Sequence, residues 1–361
     1  NGDDRHDTAG VVLASALDLA ATLDPPHDTA RATVLSALGA NLVERGRYEA
    51  AEPLLVRADS LLVAHPKATP RQRATVQFSL SMAYSALNRL DEARRAARRR
   101  VELVTEESGG DSPNTAAALV RLADVLDLSG DDRASIAVYR QAVATLERAL
   151  GEEHEATLST LNNLAITLRQ VGEEEEAEAL LRRVLDIRTR GAGIWDREVA
   201  GTMQNLATVL QARGELDEAM ELLTRAHRVY ATVLPRGHHL AAYPLLTRSA
   251  IELERDAHRA AEATIREALA ILDAALPAHH PAPAMARCRL GRALLGQGRY
   301  AEAEPLLREG TEVVADAPQL SADYRAECLG ALADVLEATG RPAEARPYRA
   351  ATAELTPASA G

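Results

Sequence analysis

Between Leu161 and Leu185 the chain reads LNNLAITLRQVGEEEEAEALLRRVL, and its apolar or small positions fall into two stripes of helical period. Leu161, Leu164, Ala165 and Leu168 are spaced i, i+3, i+4, i+7, which marks one face of a helix. That stripe stops at Gly172, where glycine accepts the left-handed conformation that ends a helix. A second stripe, Ala177, Leu180, Leu181, Val184 and Ile187, follows an acidic start at Glu173 to Glu176, which suits the positive end of a helix dipole. The pattern predicts two amphipathic helices joined by a tight turn. Neither can bury its stripe alone, so the hairpin requires neighbours.

Steps of 42 residues from Gly172 in both directions land on Asp4, Gly46, Asn88, Gly130, Gly214, Asp256, Gly298 and Gly340, all turn-forming residues. Five residues after the marks stand Ala9, Ala51, Ala93, Ser135, Ala177, Ala219, Ala261, Ala303 and Ala345, as close approach between helices requires. Eight residues before them stand Leu38, Leu80, Leu122, Leu164, Leu206, Leu290 and Leu332, interrupted by Arg248. Three columns coinciding over nine steps predict a repeated helical hairpin and no β-sheet.

These columns resemble the tetratricopeptide repeat (TPR), whose pattern is filled by Leu164, Ala165, Leu168, Gly172, Ala177, Leu181 and Val184. The repeat length and the phrases LGEEHEATLSTLNNLA (150–165) and GELDEAMELLTRA (214–226) are similar to the kinesin-light-chain variety. The resemblance implies an all-α fold: an α-solenoid of stacked helix-turn-helix TPR hairpins with a 42-residue period, wound as a right-handed superhelix. It also implies a concave face that binds peptides or proteins, and no intrinsic catalysis.

A fixed repeat makes the 361 residues one quasi-linear array, 1–361, rather than two or three domains. Eight full repeats are expected over 29–355, with 1–24 holding the second helix of a truncated leading repeat (turn mark Asp4, apolar face Leu13 and Leu17) and 356–361 a tail. A leading half-hairpin suggests that its first helix lies upstream, in a longer protein. Repeat six is irregular, because Arg248 and Glu252 occupy columns that are leucine or tyrosine elsewhere. Either its first helix is slipped or rotated, or two local substitutions weaken its packing.

Composition narrows the partners. With 47% hydrophobic but only 3% aromatic residues, the core is built from Leu, Val, Ile and Ala. A net charge of −12 argues against a nucleic-acid backbone or an anionic membrane as the main partner, since both need clustered positive charge. No apolar run is long enough to span a bilayer, and the start NGDDRHDTAG lacks signal-peptide character. Cys288 and Cys328, with no C-x-x-C pair, fit a reducing, cytoplasmic setting and read as buried small hydrophobes. One lysine, Lys67, against 40 arginines reads as the coding bias of a GC-rich, bacterial source.

Little catalytic chemistry is legible. His154, His238 and His280 each fall 24 residues after a turn mark, so they read as loop residues rather than metal ligands, and His239 and His279 adjoin two of them. The cluster RRAARRR (94–100) reads as a solvated outer face offset by Glu92, Glu102, Glu106 and Glu107. Trp195 either plugs a gap between repeats or anchors a partner. Phosphate loops, nucleophile elbows and zinc-protease motifs are missing, and no cofactor or metal is expected.

In the resembled fold the first helix of each hairpin lines the concave face. The inward positions are Arg121, Asp124 and Asp127 in repeat three, and Ser159, Asn162, Asn163, Arg169 and Gln170 in repeat four. In repeat five they are Gln204, Asn205, Thr208 and Gln211. Amides can donate to and accept from the main chain of an extended peptide without demanding one side-chain sequence. Arg289 and Arg292 of repeat seven offer a second subsite for an acidic group. The expected function is a scaffold that binds protein or peptide in the groove, serving as the interaction or regulatory module of a larger bacterial signalling protein. A module binding a small ligand, and a hydrolase with a site assembled across repeats, are the alternatives.

Overall fold

The computed structural model describes residue 15 and residues 28–277, 280–315, 317, 320 and 322–355. Among them lie sixteen α-helices and no strand. In chain order they are α1 (Asp28–Glu44), α2 (Tyr48–Ala64), α3 (Pro70–Ala86), α4 (Leu90–Ser108), α5 (Pro113–Leu128), α6 (Asp132–Leu150), α7 (Glu155–Gln170) and α8 (Glu174–Ala192). There follow α9 (Arg197–Ala212), α10 (Leu216–Val233), α11 (Ala242–Glu254), α12 (His258–Ala275), α13 (Pro281–Leu295), α14 (Tyr300–Ala315), α15 (Ala322–Ala338) and α16 (Pro342–Leu355). Odd-numbered helices are the first, and even-numbered the second, of eight hairpins. The expected leading half-hairpin at 1–24 and the tail at 356–361 lie outside the described residues. The chain divides into two compact units, Asn1–Leu180 and Leu181–Gly361.

Each hairpin turns at one left-handed residue. In the first unit φ is 70° at Gly46, 57° at Asn88, 74° at Gly130 and 80° at Gly172; in the second it is 79° at Gly214, 54° at Asp256, 72° at Gly298 and 79° at Gly340. The next amide donates to the carbonyl five residues back, as in Arg47 to Leu42 at 2.8 Å, Glu173 to Leu168 at 2.9 Å and Arg299 to Leu294 at 3.0 Å. This six-to-one bond satisfies a carbonyl that the helix end leaves orphaned. The column five residues after the turn is sealed, with Ala51, Ala93, Ser135, Ala177, Ala219, Ala261 and Ala303 at 0% exposure. Where the facing column, seven residues before the turn, holds glycine, the approach is closer still. A Cβ on Gly39 would lie 2.6 Å from Leu55 Cγ, and one on Gly291 2.4 Å from Leu307 Cγ.

The helix starts account for the histidines. The Nδ1 atoms of His154, His238 and His280 accept from the amides of Ala156 (3.1 Å), Leu240 (3.2 Å) and Ala282 (3.1 Å), so each imidazole caps a helix entrance. His239 stacks on His238 with ring centroids 4.5 Å apart, and burial pulls its pKa down. Among the described residues no group of three His, Cys, Asp or Glu side chains is placed to hold a metal ion; His279 lies outside them.

Two ion-pair ladders join consecutive second helices within each unit. An arginine ten residues after one turn meets a glutamate four after the next: Arg140 and Glu176 at 2.8 Å in the first unit, Arg182 and Glu218 at 2.8 Å and Arg308 and Glu344 at 3.3 Å in the second. An arginine one residue after a turn meets a glutamate six after the preceding turn: Arg89 and Glu52 at 2.6 Å in the first unit, Arg299 and Glu262 at 2.8 Å and Arg341 and Glu304 at 3.0 Å in the second.

Hairpin six keeps its register. In α11 the small column (Ser249) and Ile251 are fully buried, Leu253 is 3% exposed, and the amide of Ala257 bonds to the Glu252 carbonyl at 2.8 Å as in every other turn. The helix is therefore neither slipped nor rotated. Arg248 Nε donates to Glu252 Oε1 at 2.8 Å, with Glu252 only 3% exposed, so an i,i+4 ion pair replaces two leucines.

The cysteines depart from expectation. Both are buried, but they are joined as a disulfide between α13 and α15 rather than standing as separate thiols.

Candidate functional site

In the first unit the exposed face of the first helices carries a polar chain. Half-buried Arg121 of α5 reaches back to α3, donating to the Ser81 carbonyl (2.9 Å), Ser81 Oγ (3.1 Å) and Ser85 Oγ (2.7 Å). The Tyr139 hydroxyl, on α6, donates to Asp124 at 2.6 Å and accepts from Asn163 of α7. Thr167 donates to Asp127 at 3.1 Å. Burial raises the pKa of both aspartates, opposed at Asp124 by the Tyr139 bond and Arg121, and at Asp127 by the Thr167 bond. Tyr139 is raised as well, by its own burial and then by Asp124.

Arg121, Asp124 and Asn163 thus already have partners within the fold, as does Asn162. Arg169 is half-buried and Gln170 exposed; Arg169 has no ion-pair partner among the described residues.

Farther along the same unit lies a site that the basic cluster concealed. Arg94 and Arg99 do pair outward, with Asp91 (2.7 Å) and Glu102 (2.5 Å). Arg100 instead turns inward, its guanidinium 4.4 Å from the centroid of the Phe78 ring. No carboxylate pairs with it among the described residues, and burial followed by repulsion from Arg121 lowers its pKa. It lines an open cavity of about 340 Å³ with Arg71, Thr75 and Phe78 of α3, Val104 and Glu107 of α4, and Asn114 of α5. Phe78 and Met82, on one face of α3, are 39% and 36% exposed. Thr75 also borders a smaller apolar slot of about 210 Å³ lined by Ala32, Ser36 and Ala40 of α1 and Gln72 of α3.

A sequence signal for Arg100 existed. It stands twelve residues after its turn, where the other hairpins have Ala58, Ala142, Val184, Ala226, Ala268, Gly310 and Thr352. Ala58, Ala142, Val184, Ala226 and Ala268 are at 0% exposure, and Thr352 of the last hairpin is half-buried. An arginine among them cannot be a solvated outer residue.

In the second unit Gln204 and Asn205 are half-buried on α9, and Asn205 has an internal partner. The Thr208 hydroxyl is spent on the Gln204 carbonyl at 3.0 Å, and Gln211 donates to Glu254. Trp195, between α8 and α9, is 55% exposed and plugs no gap. Arg289 and Arg292, expected as a subsite, are both engaged within the fold. Arg289 is 6% exposed, donates to the Leu246 carbonyl at 2.9 Å and lies 5.1 Å from the Tyr324 ring centroid, so it is a strut between first helices. Arg292 is neutralised by Glu327 at 2.7 Å. That pair lines a cavity of about 570 Å³ together with Asp256, His258, Gly296, Gly330 and Asp334, a setting of mixed charge in which Asp334 is itself paired with Arg349.

Tetratricopeptide-repeat models match residues 28–57, 72–148, 134–190, 199–240, 284–309 and 326–347, together more than half the chain. No curated protein sequence matches it. Among solved structures, the apo form of RapI aligns with 98% of this chain and 93% of its own at 14% identity, TM-score 0.64. The apo form of the quorum sensor NprR from B. thuringiensis aligns over 89% and 88% at 11% identity, TM-score 0.62. BtubC (BKLC) from P. vanneervenii aligns over 64% of this chain and 95% of its own at 22% identity, TM-score 0.54. The left-handed turns, the sealed small-residue columns and the matched models agree: this chain belongs to the tetratricopeptide-repeat family.

Proposed function

We propose that this chain is a scaffold whose first-helix faces bind an extended peptide segment of a protein partner. The observation that carries the reading is Arg100, a half-buried cation without a carboxylate partner among the described residues, set over Phe78 in an open cavity. Leaving such a charge uncompensated costs stability, and an anionic group on a ligand offsets that cost. Asn162 and Asn163 supply the amides for a peptide main chain within the first unit, and Gln204 and Asn205 those within the second. A regulatory role follows by analogy with NprR, a quorum sensor of similar fold.

The test is peptide display against the full chain, followed by affinity measurement on variants. Arg100→Ala should weaken a selected peptide by about tenfold or more, since a charged hydrogen bond is worth about 1.5–3 kcal/mol. The pair Asn163→Ala, Asn205→Ala should weaken peptides of unrelated side-chain sequence alike. Selection of no peptide, or unchanged affinity in both variants, overturns the reading.

A further inference from the structure

We propose that the Cys288–Cys328 disulfide is a reversible redox modification site that sets whether Arg292 is available to a ligand on the first-helix face of hairpins seven and eight. The bond joins α13 to α15 with Cα atoms 5.2 Å apart, and the two residues are 4% and 1% exposed. The surroundings are shaped for that closeness: a Cβ on Gly310 of α14 would lie 2.5 Å from Cys288 Sγ and 2.8 Å from the Ala284 carbonyl oxygen. One turn along the same helices, Arg292 donates to Glu327 at 2.7 Å. Cys288 and Arg292 are i,i+4 on α13, and Glu327 directly precedes Cys328 on α15. The covalent tie and the ion pair therefore depend on one helix-to-helix distance, and the 570 Å³ cavity opens beside them.

The chemistry is thiol–disulfide exchange. A thiolate of a dithiol reductant attacks one sulfur and forms a mixed disulfide, and the reductant's second thiol resolves it. Two electrons and two protons pass to Cys288 and Cys328, which become thiols, and the reductant leaves as its own disulfide. Oxidised glutathione runs the reverse, taking up the two electrons and leaving as two thiols.

Bonded sulfurs sit about 2 Å apart, whereas unbonded heavy atoms rest at about 3.5–4.0 Å. With both sulfurs buried and Cys288 Sγ packed against Gly310, leaving little room for either side chain to swing aside, reduction is accommodated by easing α15 away from α13 by on the order of 1–2 Å. A 2.7 Å hydrogen bond stretched by that much is lost. Arg292, whose side chain is already 43% exposed, is then free to meet an anion. Because both sulfurs are buried, reagents wait for local opening of this seam, so exchange is slow in buffer and faster in dilute urea.

The full chain, purified without reductant, is alkylated under denaturing conditions to count thiols. It is then compared before and after dithiothreitol by hydrogen exchange over 322–338 and by phenylglyoxal modification of Arg292, read by peptide mass. Oxidised protein should show no free thiol; reduction should raise exchange in α15 and the Arg292 reaction rate by about fivefold or more, leaving α5 unchanged. Cys288→Ser should behave as the reduced protein in either buffer. Two thiols that stay free after incubation with oxidised glutathione overturn the proposal. So do equal exchange and equal Arg292 reactivity in the two redox states.

Discussion

Arg248 and Glu252 stand where the hairpin pattern asks for two leucines, and their removal should have unequal consequences. Glu252 is 3% exposed and its Oε2 has no hydrogen-bond partner among the described residues, whereas the Arg248 side chain is 33% exposed. Arg248→Leu leaves a buried carboxylate without its counter-charge, which costs about 3–5 kcal/mol. Glu252→Leu removes both the desolvated charge and the orphaned oxygen, and the remaining arginine can extend into water, so its cost is within about 1 kcal/mol. The double change to leucine restores both columns and should stabilise by about 1–4 kcal/mol, as well-packed apolar replacements of buried ion pairs do. Because arrays unfold piecewise, the assay is urea unfolding together with hydrogen exchange over α11 and α12. The reasoning is refuted if Glu252→Leu destabilises as much as Arg248→Leu, or if the double variant is the least stable of the three.

Asp124 and Asp127 have pKa values raised by burial, so the folded chain binds protons that the unfolded chain has released; their contribution to stability is present below the usual carboxylate range and declines as pH rises through the raised values. Urea midpoints of Asp124→Asn from about pH 4 to 7 should therefore fall less with rising pH than those of the parent, and equal slopes would count against this. Gly291→Ala forces a Cβ to 2.4 Å from Leu307 Cγ and should cost about 1–3 kcal/mol in thermal unfolding; recovery is expected when Leu307→Val is added. Gly130→Ala, at φ 74°, should cost about 1–2 kcal/mol, whereas Asn88→Gly, at φ 57°, should stay within about 1 kcal/mol by the same measurement.

The hairpins were readable because turn and packing impose local demands that recur. A left-handed residue at Gly172 or Asp256 and a small one at Ala177 or Ser249 are fixed by backbone geometry, and a single chain displays them eight times over. Departures were harder, because a foreign residue in a column has several physical remedies. By pattern alone Arg248 and Glu252 fit either a register fault or two local substitutions; in the fold they neutralise each other in place. Arg289 sits at an inward position by spacing, yet the gap between first helices is narrow enough for it to bond the Leu246 carbonyl instead of reaching solvent. Cys288 and Cys328 stand ten and twelve residues before their turns, and only the close approach of α13 and α15 brings them together. Arg100 was hidden by its neighbours in the arginine run.

The ion-pair ladders give each unit a mechanical asymmetry. On the second helices, consecutive hairpins are held by exposed arginine–glutamate contacts such as Arg182 to Glu218, whereas the sealed alanine columns hold each hairpin through apolar contact. Exposed pairs are worth about 0–1 kcal/mol each and are screened by salt, whereas apolar contacts are not. Ionic strength therefore tunes how firmly consecutive second helices hold to one another, while the apolar columns within each hairpin are indifferent to it.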